Sequence, residues 1–145
     1  MASGKCIVLG YDRSPGAHRA LDIAIELAGS FDVPLVLVHG VAPPSSVGEE
    51  ANEAREAIDD MDEEIAAPAV AAAEAAGVSV IVEVVDSRPA PALIAAAEEH
   101  DALVIVVGTW NESPLRGALL GSVPHKLLQI SRRPVLCVPS ADRHA

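Results

Sequence analysis

Short runs of aliphatic residues alternate with longer, alanine-rich segments along the whole chain. The short runs are rich in Val, Ile and Leu and are typical of buried strands, whereas the longer segments have the length and composition of helices. The predicted strands are Cys6–Gly10, Leu35–His39, Val78–Val85, Leu103–Val107 and Val135–Val138. The predicted helices run from Pro15 to about Ser30, from about Val47 to Ala76 with a bend at Pro68, from Ala90 to His100, and from Ser122 to Ile130. Strands that alternate with helices form a parallel sheet covered by helices on both faces.

This order of elements predicts a three-layer α/β/α, Rossmann-like fold, with residues 1–145 as a single domain. We expect a five-stranded parallel sheet of order 3-2-1-4-5, in which the first and fourth strands are central neighbours. The ligand crevice of such a sheet opens beyond the carboxyl ends of these two strands. Asp12 follows the first strand and Gly108 follows the fourth, so both are predicted to lie at the crevice.

The composition limits how the core is built and where the protein works. Half of the residues are hydrophobic but only 2% are aromatic, so Ala, Val, Leu and Ile must form the core. Cys6 and Cys137 fall in predicted strands without metal-binding spacing, and we interpret them as buried, reduced thiols. No segment resembles a signal peptide or a membrane span, so we expect a cytoplasmic protein with no membrane partner.

Charge is distributed unevenly along the chain. The formal net charge is −11, which argues against a nucleic-acid partner. Nine acidic residues and one arginine lie between Glu49 and Glu64, whereas five basic residues outnumber two acidic ones from Asn111 to the carboxyl terminus. This local basic excess suits a small phosphorylated ligand.

The segment after the fourth strand has the features of a phosphate-binding loop. Gly108 and Gly121 allow close backbone approach, and Ser122 and Val123 offer amides where a helix begins. Ser122 has a second interpretation as a simple helix cap. Asn111 tolerates a left-handed turn but adds a side chain that glycine lacks.

The spacing of these residues resembles the signature of the universal stress protein family, Gly-x2-Gly-x9-Gly-Ser/Thr. Asn111 stands where the family has its second glycine, and Pro124 stands where many members have Ser or Thr. The resemblance extends over essentially the whole chain. It includes residues 12–14, residues 38–41, residues 98–109, residues 119–123 and residues 133–139.

The resemblance implies a cytoplasmic stress-response protein, commonly a homodimer that pairs through its last strand, here Val135–Val138. Some members of the family bind ATP and others do not, and Mg²⁺ can accompany ATP. Backbone groups after the second strand often read adenine in the family, and Gly40 and Val41 are the matching residues. Asp12 is expected to accept bonds from adenine or ribose, or to help hold a divalent cation beside the phosphates, although a simple turn aspartate is the alternative. His39 is interpreted as a polar residue at a strand end.

Several function classes are excluded by missing motifs. The chain has no Walker-type loop, no Gly-x-Gly-x-x-Gly after the first strand and no nucleophile elbow. Its five histidines show no metal-ligand spacing, so no metal site is predicted. The acidic cluster of a response-regulator receiver is also missing, since Asp12 stands alone. We predict no catalytic residue and no specific turnover beyond weak ATP hydrolysis.

Two functions remain open at this point. In the first, an adenine nucleotide (ATP, AMP or cyclic AMP) binds between Asp12, Gly40, Val41 and the loop from Gly108 to Ser122. In the second, the protein does not bind ATP and acts through its homodimer surface or a protein partner. Asn111, Glu112 and Pro124 keep the second function open, because each of them makes the loop less suited to a triphosphate.

Overall fold

The computed structural model describes residues 5–11, 15–40, 66–85, 88–109 and 122–139. Its strands are β1 (Cys6–Gly10), β2 (Leu35–Gly40), β3 (Val80–Val85), β4 (Ala102–Gly108) and β5 (Val135–Val138). Its helices are α1 (Pro15–Phe31), α2 (described over residues 66–75), α3 (Pro89–Glu99) and α4 (Ser122–Ile130). The first part of the helix predicted from Val47 lies outside the described residues.

The strands form one parallel sheet of order β3-β2-β1-β4-β5, which confirms the predicted α/β fold. The strand β1 lies at the centre, with Val8 opposite Val36 of β2 and Ile105 of β4. Every residue of β1 from Cys6 to Leu9 is buried, because helices cover both faces of the sheet. The continuous apolar runs in the sequence have this physical origin.

Alternate residues of the central strands point to opposite faces of the sheet, so the hydrophobic core has two halves. On one face, Ile7, Leu9 and Leu37 pack against the alanines of α1 and α2. On the other face, Val8 and Val38 pack against α3 and α4. The helices can lie close to the sheet because most of their buried residues are alanines, and the scarcity of aromatic residues is explained in this way.

The helices α1 and α2 end in the same way. Asp32 (φ 55°) and Gly77 (φ 78°) both adopt the left-handed conformation just past a helix. The next residue then donates a hydrogen bond five residues back, from Val33 to Ala28 and from Val78 to Ala73. Gly77 therefore ends the helix as predicted. The strand β3 begins at Val80 rather than Val78, because Val78 belongs to this helix end.

No helix in the described segments is long and apolar enough to cross a membrane. Cys6 is buried and Cys137 is half-buried, and both are free thiols. Burial raises the pKa of Cys6 to about 11 and also raises that of Cys137.

Candidate functional site

A cleft of about 150 Å³ opens at the carboxyl ends of β1, β2 and β4. A ligand crevice is expected at this position, because the strand order reverses between β1 and β4. Its walls are mostly apolar, and none of the described lining residues carries a carboxylate. The lining residues are Gly10, Tyr11, Ala17, Val38, His39, Pro89, Leu93, Val107, Gly108 and Val123.

Three helices begin at this cleft. Ala17 is in the first turn of α1, Pro89 is the first residue of α3, and Val123 is the second residue of α4. None of these helices has an acidic residue in its first turn. The positive ends of three helix dipoles therefore face one cavity without a protein carboxylate in the first turns to offset them. An anion is the ligand that this arrangement favours electrostatically.

Two glycines allow α1 to lie against the end of β4. A Cβ on Gly108 would collide with the carbonyl carbon of Gly16 and would lie 2.6 Å from the Gly16 oxygen. A Cβ on Gly16 would lie 2.8 Å from the carbonyl oxygen of Thr109. Gly108 is therefore required by the packing of α1, independently of any phosphate.

The floor of the cleft depends on a third glycine. A Cβ on Gly10 would lie 2.9 Å from Cδ1 of Leu93 and 3.1 Å from Cγ1 of Val107. The absence of that Cβ lets Leu93 of α3 lie directly over the end of β1. The side of the cavity that faces α3 is apolar for this reason.

A side chain joins the ends of β1 and β2 at the edge of the cleft. Nδ1 of His39 lies 2.9 Å from the backbone oxygen of Tyr11. The Tyr11 amide donates to the Val38 oxygen over 3.2 Å. The Tyr11 ring is 4% exposed and packs in the core, 5.9 Å from the ring of His18. The backbone of Tyr11 is therefore held at both its amide and its carbonyl.

The structure brings together part of the predicted site. Gly108 and Val123 line the same cleft, Gly40 ends β2 beside His39, and Ser122 begins α4. Asp12, Val41, Asn111 and Gly121 lie outside the described residues. Pro89 and Leu93 were missed by the sequence reasoning, because nothing in the pattern of α3 marks which residues reach the cleft.

A polar cluster lies at the opposite end of α3 from the cleft. Nε2 of His100 is 2.6 Å from Oε1 of Glu83. Glu99 adds a carboxylate, and the three possible ligand atoms lie within 4.8 Å of one another. No motif in the sequence points to this cluster, because Glu83 lies in β3 and is separated along the chain from Glu99 and His100. The His100–Glu83 contact joins the edge strand to the end of α3.

Arg133 organises the residues beside this cluster. Its guanidinium donates to Asp101 over 3.0 Å, to the Ala102 oxygen over 2.8 Å and to Glu98 over 3.4 Å. The hydrogen bonds to Asp101 and Glu98 raise the pKa of Arg133. This network fixes the turn between α3 and β4 and belongs to the scaffold of the protein.

Comparison with known proteins gives consistent matches over nearly the whole chain. The model of the universal stress protein family matches residues 5–139. A universal stress protein of Methanocaldococcus jannaschii is 31% identical over 138 residues, covering 92% of this chain and 81% of that protein. The chain spans about half the length of two other curated relatives that it matches.

Two similar structures contain adenine nucleotides. The universal stress protein from Archaeoglobus fulgidus in complex with dAMP is 25% identical and superimposes with a TM-score of 0.71, over 95% of this chain and 99% of that one. A universal stress protein in complex with cAMP is 28% identical, with a TM-score of 0.73 over 94% of this chain and 98% of that one.

Proposed function

This chain belongs to the universal stress protein family, and from that premise we propose that it is a cytoplasmic stress-response module that binds an adenine nucleotide. The observation that carries the proposal is the meeting of three helix N-termini at one apolar cleft beside the central strands. An apolar wall suits a heterocyclic base, and the positive end of a helix suits a phosphate. The dAMP and cAMP complexes of the two relatives support the choice of adenine.

The base and the ribose would occupy the side of the cleft near β1 and β2. Pro89 of α3 is the exposed apolar lining residue that the base would contact, whereas Val38 and Leu93 are 2% exposed and close the bottom of the cleft. We assign recognition of the adenine edge to the backbone of Gly40 and Val41, and hydrogen bonding of the ribose or adenine to Asp12. These assignments place the polar contacts at the rim and leave the apolar residues to exclude water from the base.

The phosphate would lie at the start of α4. We assign it to the backbone of Gly108, Asn111 and Gly121 and to the amides of Ser122 and Val123. Pro124 is the third residue of α4 and has no amide hydrogen to donate. Because AMP and cyclic AMP need fewer donors than ATP with Mg²⁺, we expect either of them to bind at least as tightly as ATP.

Isothermal titration calorimetry tests the proposal directly. We expect the purified protein to bind at least one of AMP, cyclic AMP and ATP with Mg²⁺ with a Kd below about 1 mM. Val123→Glu places a carboxylate in the cleft and should weaken binding about tenfold or more. Gln129→Glu makes the same change of charge on the exposed side of α4 and should bind normally. The proposal is wrong if none of the three nucleotides binds.

The edge of the sheet at β5 favours a second function, in which the protein acts through a homodimer. Leu136 in β5 is 37% exposed, and Leu128 and Ile130 at the end of α4 are 52% and 45% exposed. Pairing through Val135–Val138 would cover this apolar edge. We expect sedimentation velocity to give a dimer for the unmodified chain and a monomer for Leu136→Glu. A monomeric unmodified chain at all concentrations would exclude this interface.

A further inference from the structure

His39 does more than terminate a strand with a polar side chain. It is the next-to-last residue of β2, it lines the cleft, and its ring reaches across to the backbone of β1. The atom that it contacts is the carbonyl oxygen of Tyr11, which belongs to the peptide bond leading to Asp12. One side chain therefore connects the two strand ends that carry the residues proposed to read the nucleoside.

The contact fixes which ring nitrogen of His39 carries the donated hydrogen. A carbonyl oxygen only accepts hydrogen bonds, so Nδ1 of His39 must carry the hydrogen in the 2.9 Å contact. The neutral ring is thus the Nδ1–H tautomer, and the protonated ring can donate from the same atom. The link between the strands does not depend on which of these two forms is present.

The backbone on both sides explains why this link matters. The register of β1 and β2 ends at the Gly10–Val38 pair, and the Tyr11 amide adds one more bond to the Val38 oxygen. Beyond that point the Tyr11 carbonyl is held by the hydrogen bond from His39. Gly40 immediately follows His39 at the end of β2, so it is one residue away from the side chain that makes this bond.

We propose that His39 is a positioning residue for the nucleotide site: its Nδ1–H donation to Tyr11 aligns the exits of β1 and β2 for adenine and ribose. This inference rests on the proposed function. It concerns the orientation of backbone groups, and it assigns no direct contact between His39 and the ligand.

Two substitutions separate this role from a merely structural one. In His39→Asn the amide nitrogen is bonded to Cγ, as Nδ1 is in histidine, so it can donate to Tyr11 from the same position. In His39→Gln the nitrogen lies one bond farther out and corresponds to Nε2. We expect His39→Asn to bind AMP within about threefold of the unmodified chain, and His39→Gln to bind about tenfold more weakly.

The measurements are AMP titrations at a temperature where circular dichroism shows every variant folded, together with nitrogen-15 NMR of the histidine rings. NMR should show the Nδ1–H tautomer for His39. Equal affinities for the unmodified chain and His39→Gln, or an Nε2–H tautomer, would refute the positioning role alone. Failure of the unmodified chain to bind any adenine nucleotide would refute the proposed function and this inference with it.

Discussion

Replacing Gly108 by alanine tests the contact that fixes α1 against the sheet. The added Cβ would lie 2.6 Å from the Gly16 oxygen and 2.8 Å from the Ala17 nitrogen, whereas ordinary contacts begin at 3.4 Å. All of these neighbours are backbone atoms, so no change of rotamer relieves the overlap. The start of α1 must instead move away from β4 by at least about 0.8 Å, the shortfall at the Gly16 oxygen, because the Gly16 carbonyl carbon would be closer still.

The cost follows from two opposing effects. Overpacking of a close contact costs about 1–3 kcal/mol, and the rigid backbone partners place Gly108→Ala near the upper end of that range. Alanine also reduces the conformational entropy of the unfolded chain, and this effect stabilises the folded state by about 0.4–1 kcal/mol. We therefore expect the free energy of unfolding to fall by about 2 kcal/mol. With an m-value of about 2 kcal/mol/M in urea, the midpoint of unfolding should fall by about 1 M.

Urea unfolding followed by circular dichroism measures this change in stability. Alanine substitutions at two glycines of α1 serve as comparisons. Gly16→Ala brings its Cβ within 3.0 Å of only one atom, the Thr109 oxygen, and should cost less than Gly108→Ala. At Gly29 the nearest atom would be 4.0 Å away, so Gly29→Ala should stabilise the helix by about 0.5–1 kcal/mol. A midpoint for Gly108→Ala equal to that of the unmodified chain would show that α1 and β4 do not meet in this way.

Two further predictions concern ionisable groups. Burial raises the pKa of Cys6 from 9.0 to about 11, so the folded state holds the thiol proton more tightly than the unfolded state does. The free energy of unfolding should therefore be unaffected below pH 9 and fall between pH 9 and about 11, by up to about 1.4 kcal/mol per pH unit, and Cys6→Ala should reduce this fall. An equally steep fall in Cys6→Ala would refute that assignment. The Glu83–His100 pair should give a coupling energy of about 0.5–1 kcal/mol in a double-mutant cycle of Glu83→Gln and His100→Ala. Additive effects of the two substitutions would mean that the 2.6 Å contact contributes no stability.

The sequence predicted the elements most accurately where helix and strand signals are local. The bounds of α4 and β5 match the predicted Ser122–Ile130 and Val135–Val138. The error at β3 arose because Val78 looks like a strand residue, although its amide completes the end of α2. An apolar residue just after a helix-ending glycine fits either the start of a strand or the end of the helix, and only the tertiary structure distinguishes the two.

The site was predictable to a smaller extent. Gly108 and Val123 were selected from loop spacing, and both line the cleft. The requirement for glycine at residue 108 comes from its contact with Gly16, which is distant in sequence and carries no signal of its own. The positions of Leu93 and His39 in the cleft depend on how α3 and β2 meet β1. Nucleotide contact remains a prediction for every one of the predicted site residues, which are Asp12, Gly40, Val41, Gly108, Asn111, Gly121, Ser122 and Val123.

The common direction of the helices also separates charge along the molecule. The helices α1, α3 and α4 begin at the cleft. At the opposite end, five acidic residues of the described segments outnumber three basic ones: Asp32, Glu74, Glu98, Glu99 and Asp101 against Lys5, Arg132 and Arg133. The described part of the protein is therefore polarised, with its cleft end the less negative. A total charge of −11 alone would repel an incoming anion and make association faster as salt is added. Polarisation opposes that trend, so the rate of nucleotide association should depend only weakly on ionic strength.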